Sequence, residues 1–146
     1  MTGRYLVDTN VLVYAYDRSE PAKQKAASEV IDSLVRGGAG VLSPQILAEF
    51  FSVVTRKIAK PLTVSEGHAR IGNYLRSWDI VDLTGTVVLE AIRGVRDHRM
   101  AFWDALIWST AKMNQIPAVL SEDFSHGSAI DGVRFVNPFS PGWSER

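Results

Sequence analysis

Apolar positions along this chain fall into two alternating kinds of segment. Short runs, at Tyr5-Leu6-Val7, Val41-Leu42, Ile80-Val81, Ala118-Val119-Leu120 and Val133 to Val136, stop at polar or turn-forming residues and predict five strands. Between them lie longer stretches with helical periodicity. A brief helix is expected over Val11 to Tyr16. Another starts at Pro21, after Ser19-Glu20, and stops at Gly37-Gly38. A third runs from Gln45 to about Ile58, leaving Arg56, Lys57 and Lys60 near its C-terminal end. Thr63 and Glu66 have capping-box spacing and open a helix to about Trp78. Thr84 or Thr86 opens the next, through about Arg96, and a last helix covers about Ala101 to Asn114. Strands separated by helices call for a mainly parallel sheet covered on both faces, a three-layer α/β/α sandwich.

Composition narrows the chemistry. The 146 residues are 46% hydrophobic and 22% charged, enough for a real core. No linker, repeat or low-complexity segment interrupts them, so residues 1–146 read as one domain. Sixteen basic residues balance sixteen acidic ones, which excludes a bulk basic surface but not a local patch. There is no cysteine, and His68, His98 and His126 are not at metal-ligand spacing. Disulfide frameworks, thiol nucleophiles, thiolate zinc and iron–sulfur sites are therefore out. With no secretion-type start and no stretch near the ~18 apolar residues that span a bilayer, the expected compartment is the cytoplasm. Gly37-Gly38-Ala39-Gly40 precedes a strand instead of following one, so it reads as a helix stop and not as a phosphate cradle.

Most acidic residues lie where solvated helix faces are expected, but four do not. Asp8 follows an apolar strand directly, and Asp123 follows Ala118-Val119-Leu120 through a short turn. Glu49 lies within Ile46-Leu47-Ala48-Glu49-Phe50-Phe51, and Asp104 within Ala101-Phe102-Trp103-Asp104-Ala105-Leu106-Ile107-Trp108. Parallel strands deliver their following loops to one sheet edge, where ligands bind. If the Asp104 helix starts at that edge, the four carboxylates converge. Two carboxylates ~5 Å apart repel by roughly 3 kcal/mol at an effective dielectric of about 20. Four together need protonation or cations. An all-oxygen set without thiolate or paired histidine suits Mg²⁺ or Mn²⁺.

Each residue also has an ordinary structural reading. Asp8 fits a helix N-cap, Glu49 fits a partner for Arg56 or Lys57, Asp104 complements a helix dipole, and Asp123 fits a turn. What these roles do not require is two carboxylates inside apolar helices.

With those residues in view, the sequence resembles the PIN-domain family, and within it the VapC-type toxins. The resemblance rests on Leu6-Val7-Asp8-Thr9-Asn10, Ala48-Glu49-Phe50, Phe102-Trp103-Asp104-Ala105, Leu120-Ser121-Glu122-Asp123-Phe124 and the closing Val133-Arg134-Phe135-Val136-Asn137-Pro138-Phe139. It implies a PIN-like fold and a Mg²⁺-dependent endoribonuclease that is the toxin of a type II toxin–antitoxin pair. By position Asp8, Glu49, Asp104 and Asp123 match the acidic constellation, Asp8 and Asp104 foremost as metal ligands. Thr9 and Asn10 match the supporting polar residues. Sequence leaves open whether Glu122 or Asp123 faces the metal. A homodimer and a small antitoxin are implied as partners, with RNA as substrate hydrolysed by ion-activated water.

Removing the four carboxylates from the balance leaves 16 basic against 12 acidic groups. Arg93, Arg96 and Arg99, with His98, precede the Asp104 helix and are candidate phosphate contacts, though a solvated helix end explains them equally well. Trp103, Trp108, Phe50, Phe51 and Trp78 allow base stacking, but their helical spacing points to core or interface. Three other functions remain: a metal-dependent phosphatase or phospho-acceptor domain, a non-catalytic partner-binding module, and a DNA nuclease sharing the same chemistry.

Overall fold

A computed structural model describes residues 3–141 and residue 143. Its elements follow in chain order: β1 (Tyr5–Val7), α1 (Thr9–Tyr14), α2 (Pro21–Gly37), β2 (Gly40–Leu42), α3 (Pro44–Val54), α4 (Val64–Ser77), β3 (Asp79–Ile80), α5 (Gly85–His98), α6 (Phe102–Met113), β4 (Ala118–Leu120), β5 (Ala129–Ile130) and β6 (Val133–Val136). The strands form one sheet in the order β3-β2-β1-β4-β6-β5. All neighbours are parallel except β5, which runs antiparallel to β6. Leu6 stands opposite Val41 on one side and Val119 on the other, and all three are fully buried. Central strands apolar at every position need cover on both faces, and the helices supply it.

The topology sets where a site can form. From β1 the chain builds outward through β2 and β3, then returns to place β4 on the other side of β1. The strand order reverses between β1 and β4, and in open parallel sheets the crevice at such a reversal is the ligand site. Asp8 follows the last residue of β1, and Ser121 follows the last of β4.

The predicted helix starts have the expected local chemistry. Thr63 and Glu66 form the reciprocal capping box, Thr84 caps α5, and Gly38 ends α2 in the left-handed region at φ 62°. Two expectations are corrected. The helix foreseen to reach Ile58 stops at Val54: the Leu62 amide donates to the Val54 carbonyl at 2.8 Å, turning the chain back. Arg56, Lys57 and Lys60 therefore lie beyond the helix. A sixth strand, β5, was not foreseen, because Ala129–Ile130 is not set off as an apolar run of its own. Asp131 and Gly132, at φ 47° and 84°, make the two-residue turn that pairs it with β6, and Asp-Gly between apolar residues was the available signal.

Helices α5 and α6 pack through Val87, Ala91, Ala105 and Leu106. The fully buried Trp108 donates its Nε1 to the Ile130 carbonyl at 3.1 Å and lies over Gly94, where a Cβ would stand 2.7 Å from the ring. This close approach sets the position of α6, which carries Asp104. Gly94→Ala is expected to lose about 1–2 kcal/mol of stability, because overpacking outweighs the gain of roughly 1 kcal/mol in helix propensity. Urea denaturation checks it.

Candidate active site

Asp8 is built into the reversal point. Its amide donates to the Leu120 carbonyl at 2.9 Å, continuing the β1–β4 ladder, and its Oδ1 accepts the Thr9 amide at 2.8 Å as the N-cap of α1. The capping role and the site role thus belong to the same side chain. Its Oδ2 accepts the Ser121 hydroxyl at 2.8 Å. Ser121 is nearly inaccessible and joins three residues: its Oγ also accepts the Asp123 amide at 3.0 Å and the Asn10 Nδ2 at 3.1 Å. Asn10 donates in addition to Asp123 Oδ2 at 3.0 Å. Thr9 donates to Glu49 Oε1 at 3.4 Å. Ser121 was not singled out in the sequence, where a serine after a strand resembles any turn residue.

All four carboxylates, Asp8, Glu49, Asp104 and Asp123, line one open cavity of about 380 Å³. As placed, no group of three or more Asp, Glu or His side chains among the described residues is arranged to hold a metal ion. They nevertheless feel one another electrostatically. Burial, with smaller contributions from Asp123 and Glu49, pushes the Asp8 carboxyl up to about 6, against opposing hydrogen bonds from Ser121 and Thr9. Burial and the Asp104 charge raise Glu49, while Gln45 and Thr9 oppose the shift. Burial and the Asp123 charge raise Asp104. The donor set is entirely oxygen, anionic and partly desolvated, which fits a hard divalent cation.

Glu122 and Asp123 differ in their surroundings. Glu122 accepts Tyr14 Oη at 2.5 Å and Lys23 Nζ at 2.8 Å. Its burial raises the carboxyl, but those two partners outweigh it and the net shift is downward. Asp123 is the one of the pair that lines the cavity. Of the alternative partners for Glu49, Arg56 turns back to Ser52, while Lys57 lines the same cavity as Glu49.

The three candidate arginines separate. Arg93 pairs with Glu90, Asp97 and Asp131 at 2.6–3.2 Å, and Arg96 pairs with Asp97. Arg99 lines a second cavity that shares Asp104 and Asp123 with the first. Lys57 lines the first. Gln45, buried at the base of α3, was also missed in the sequence. Its Nε2 donates to the Trp103 carbonyl at 3.3 Å, tying α3 to the start of α6, while its Oε1 is buried with no hydrogen-bond partner among the described residues.

Residues 5–127 match the PIN domain, and the chain belongs to that family. Solved structures with the same fold include a toxin–antitoxin complex from Klebsiella pneumoniae, at 15% identity and TM-score 0.66, covering 92% of this chain and 98% of that one. The FitAB complex bound to an IR36 DNA fragment is 21% identical, with TM-score 0.66 and coverage of 92% and 94%. VapC20 of Mycobacterium tuberculosis, a toxin that cleaves the sarcin–ricin loop, is 14% identical, with TM-score 0.64 and coverage of 82% and 89%. At such identities the likeness is one of fold. No curated protein matches the chain in sequence. The PIN-domain resemblance drawn from the motifs is met in the family match, and a VapC toxin is among the neighbours that share the fold.

The raised Asp8 carboxyl has a defined effect on stability. Between pH about 4 and 6 the folded state holds a proton that the unfolded state has lost, so stability falls as pH rises through that window. Above it the cost is about 3 kcal/mol. Asp8→Asn keeps the cap and is expected to stabilise the protein in EDTA at pH 7.5, by about 1–2 kcal/mol after partial loss of the Ser121 and Asn10 bonds. Below pH 4 the advantage disappears. Denaturation at both pH values measures it.

Proposed function

We propose that this protein is a Mg²⁺-dependent endoribonuclease and the toxin of a toxin–antitoxin pair, with Mn²⁺ able to replace Mg²⁺. The observation that carries the reading is the placement of Asp8, Glu49, Asp104 and Asp123 around one cavity at the strand-order reversal. Asp8 and Asp104, with Glu49 and Asp123, would hold the divalent cation. When bound, that cation supplies charge neutralisation for the phosphodiester and makes water acidic enough to attack it.

The chain's own residues prepare the rest. Ser121 and Asn10 fix Asp8 relative to Asp123, so the two carboxylates cannot rotate apart. Thr9 holds Glu49 by Oε1. The other oxygen, Oε2, on a carboxyl already raised by burial, is suited to take a proton from the attacking water. The water oxygen would bond to phosphorus as the P–O3′ bond breaks, and the leaving O3′ would take a proton from solvent, giving a 5′-phosphate and a 3′-hydroxyl. Lys57 and Arg99, on the two cavities that flank the acidic centre, are the proposed contacts to neighbouring phosphates.

A phospho-acceptor role is disfavoured by Asp8 itself: only 7% of it is exposed, and both its oxygens accept hydrogen bonds. The toxin assignment is supported by neighbours solved as toxin–antitoxin complexes, two of them, from Rickettsia felis and Salmonella typhimurium, bound to DNA. We extend to this chain a protein antitoxin as partner. A homodimer is supported by Leu89, Ile92 and Val95, an exposed apolar row on α5. Cytoplasmic residence accords with the proposed RNA substrate. No helix among the described residues is long and apolar enough to cross a membrane.

Asp104→Asn is expected to abolish cleavage while leaving the circular dichroism and melting profile of a folded protein. Incubation with total RNA in Mg²⁺ should give cuts with 5′-phosphate ends, absent in EDTA. Full activity of Asp104→Asn, or equal cleavage in EDTA, would overturn the reading.

A further inference from the structure

The cavity has two unlike kinds of lining. Beside the carboxylates it is lined by the apolar Val13, Val53, Ile58, Ile107 and Trp103, and by Lys57. Val53 is the last but one residue of α3, and Ile58 and Lys57 lie in the turn just beyond it; that early stop is what brings them to the cavity. The four tryptophans are not alike either. Trp108 is fully buried, Trp78 is 9% exposed, and Trp143 packs edge-on against Tyr5. Trp103 is 63% exposed, although it directly precedes Asp104. It is also braced: Phe102 meets its ring edge-on at 5.1 Å, and Gln45 holds its carbonyl. An exposed indole held in place beside a catalytic carboxylate has no packing role that explains it.

Electrostatics give this face a purpose. Net charge is zero, the cavity is rimmed by carboxylates, and Arg93 and Arg96 are consumed by ion pairs. Binding a polyanion through phosphates alone would be weak and strongly salt-dependent here. Stacking on an aromatic face supplies affinity that does not depend on counterion release, and it requires a base free of its pairing partner.

We propose that the cavity lining at Trp103 is a nucleobase subsite, in which one unpaired base of the RNA stacks on the Trp103 indole while Lys57 holds a neighbouring phosphate. The subsite rests on the ribonuclease reading and adds to it a requirement for single-stranded or looped-out substrate. The apolar side chains suit the π-faces of the base, and Trp103 directly precedes Asp104, so a base stacked there would lie close to the acidic centre.

The test uses a fluorescein-labelled single-stranded RNA 20-mer and the same strand annealed to its complement. Binding is read by anisotropy with Mg²⁺ in the uncleaving Asp104→Asn protein. The single strand should bind at least tenfold more tightly than the duplex. Adding Trp103→Ala should weaken single-strand binding by about 5- to 150-fold, the range for removing one stacked base, and leave duplex binding unchanged. Trp103→Phe should retain most of the affinity and Trp103→Leu should not, a comparison at similar bulk that holds even if the alanine variant folds poorly. On an active background Trp103→Ala should raise KM far more than it lowers kcat.

Single-strand binding and cleavage that are indifferent to Trp103→Ala and Trp103→Leu would overturn the subsite while leaving the nuclease intact. A wild-type protein that neither binds nor cuts RNA would remove both. Loss of antitoxin binding with RNA binding unchanged would assign the platform to a protein partner and overturn the subsite.

Discussion

Four carboxylates facing one cavity repel one another, and the fold has to hold them there against that repulsion. Ser121 and Asn10 do most of this work. The serine hydroxyl donates to Asp8 and receives the Asp123 amide, and the asparagine amide bridges to Asp123, so the loops after β1 and β4 are fastened to each other. Glu122 would add a fifth charge, but Lys23 and Tyr14 hold it to the side. The raised carboxyls of Asp8, Glu49 and Asp104 come first from burial, with the neighbouring negative charges adding to it.

The basic residues are distributed in keeping with that arrangement. Arg93 and Lys112 meet Glu90 and Asp131, riveting α5 and α6 to the β5–β6 hairpin. Of the cluster that looks in sequence like a basic approach to the site, Arg93 is therefore drawn into the fold, whereas Arg96 pairs with the adjacent Asp97 at the surface. Lys57 lines the cavity of the four carboxylates, and Arg99 lines the cavity that shares Asp104 and Asp123 with it, so local positive charge is present there in a chain of zero formal net charge.

Much of the fold is legible along the chain because its signals are local. The apolar triplets at β1 and β4, the Thr63–Glu66 box, Pro21 and the left-handed Gly38 each fix their element by backbone chemistry within a few residues. Where long-range contacts intervene, local pattern fails. Helix α3 ends early because Leu62 returns to pair with Val54, which no periodicity reveals. The two-residue β5 exists only through its pairing with β6.

The same division runs through the site. The sequence by itself determined which residue types are present: no thiolate, no paired histidine, and four carboxylates where solvation does not explain them, two of them at strand ends that a parallel sheet must deliver to one edge. Tertiary structure decided which neighbours each side chain meets. It alone separated Asp123 from Glu122, drew Arg93 into an ion-pair network, buried Trp108 and left Trp103 open to the cavity. Chemical identity and strand position are written residue by residue, whereas burial, pairing and direction depend on contacts between separate segments, those joining Asp8 and Asn10 to Ser121 and Asp123 being more than a hundred residues apart.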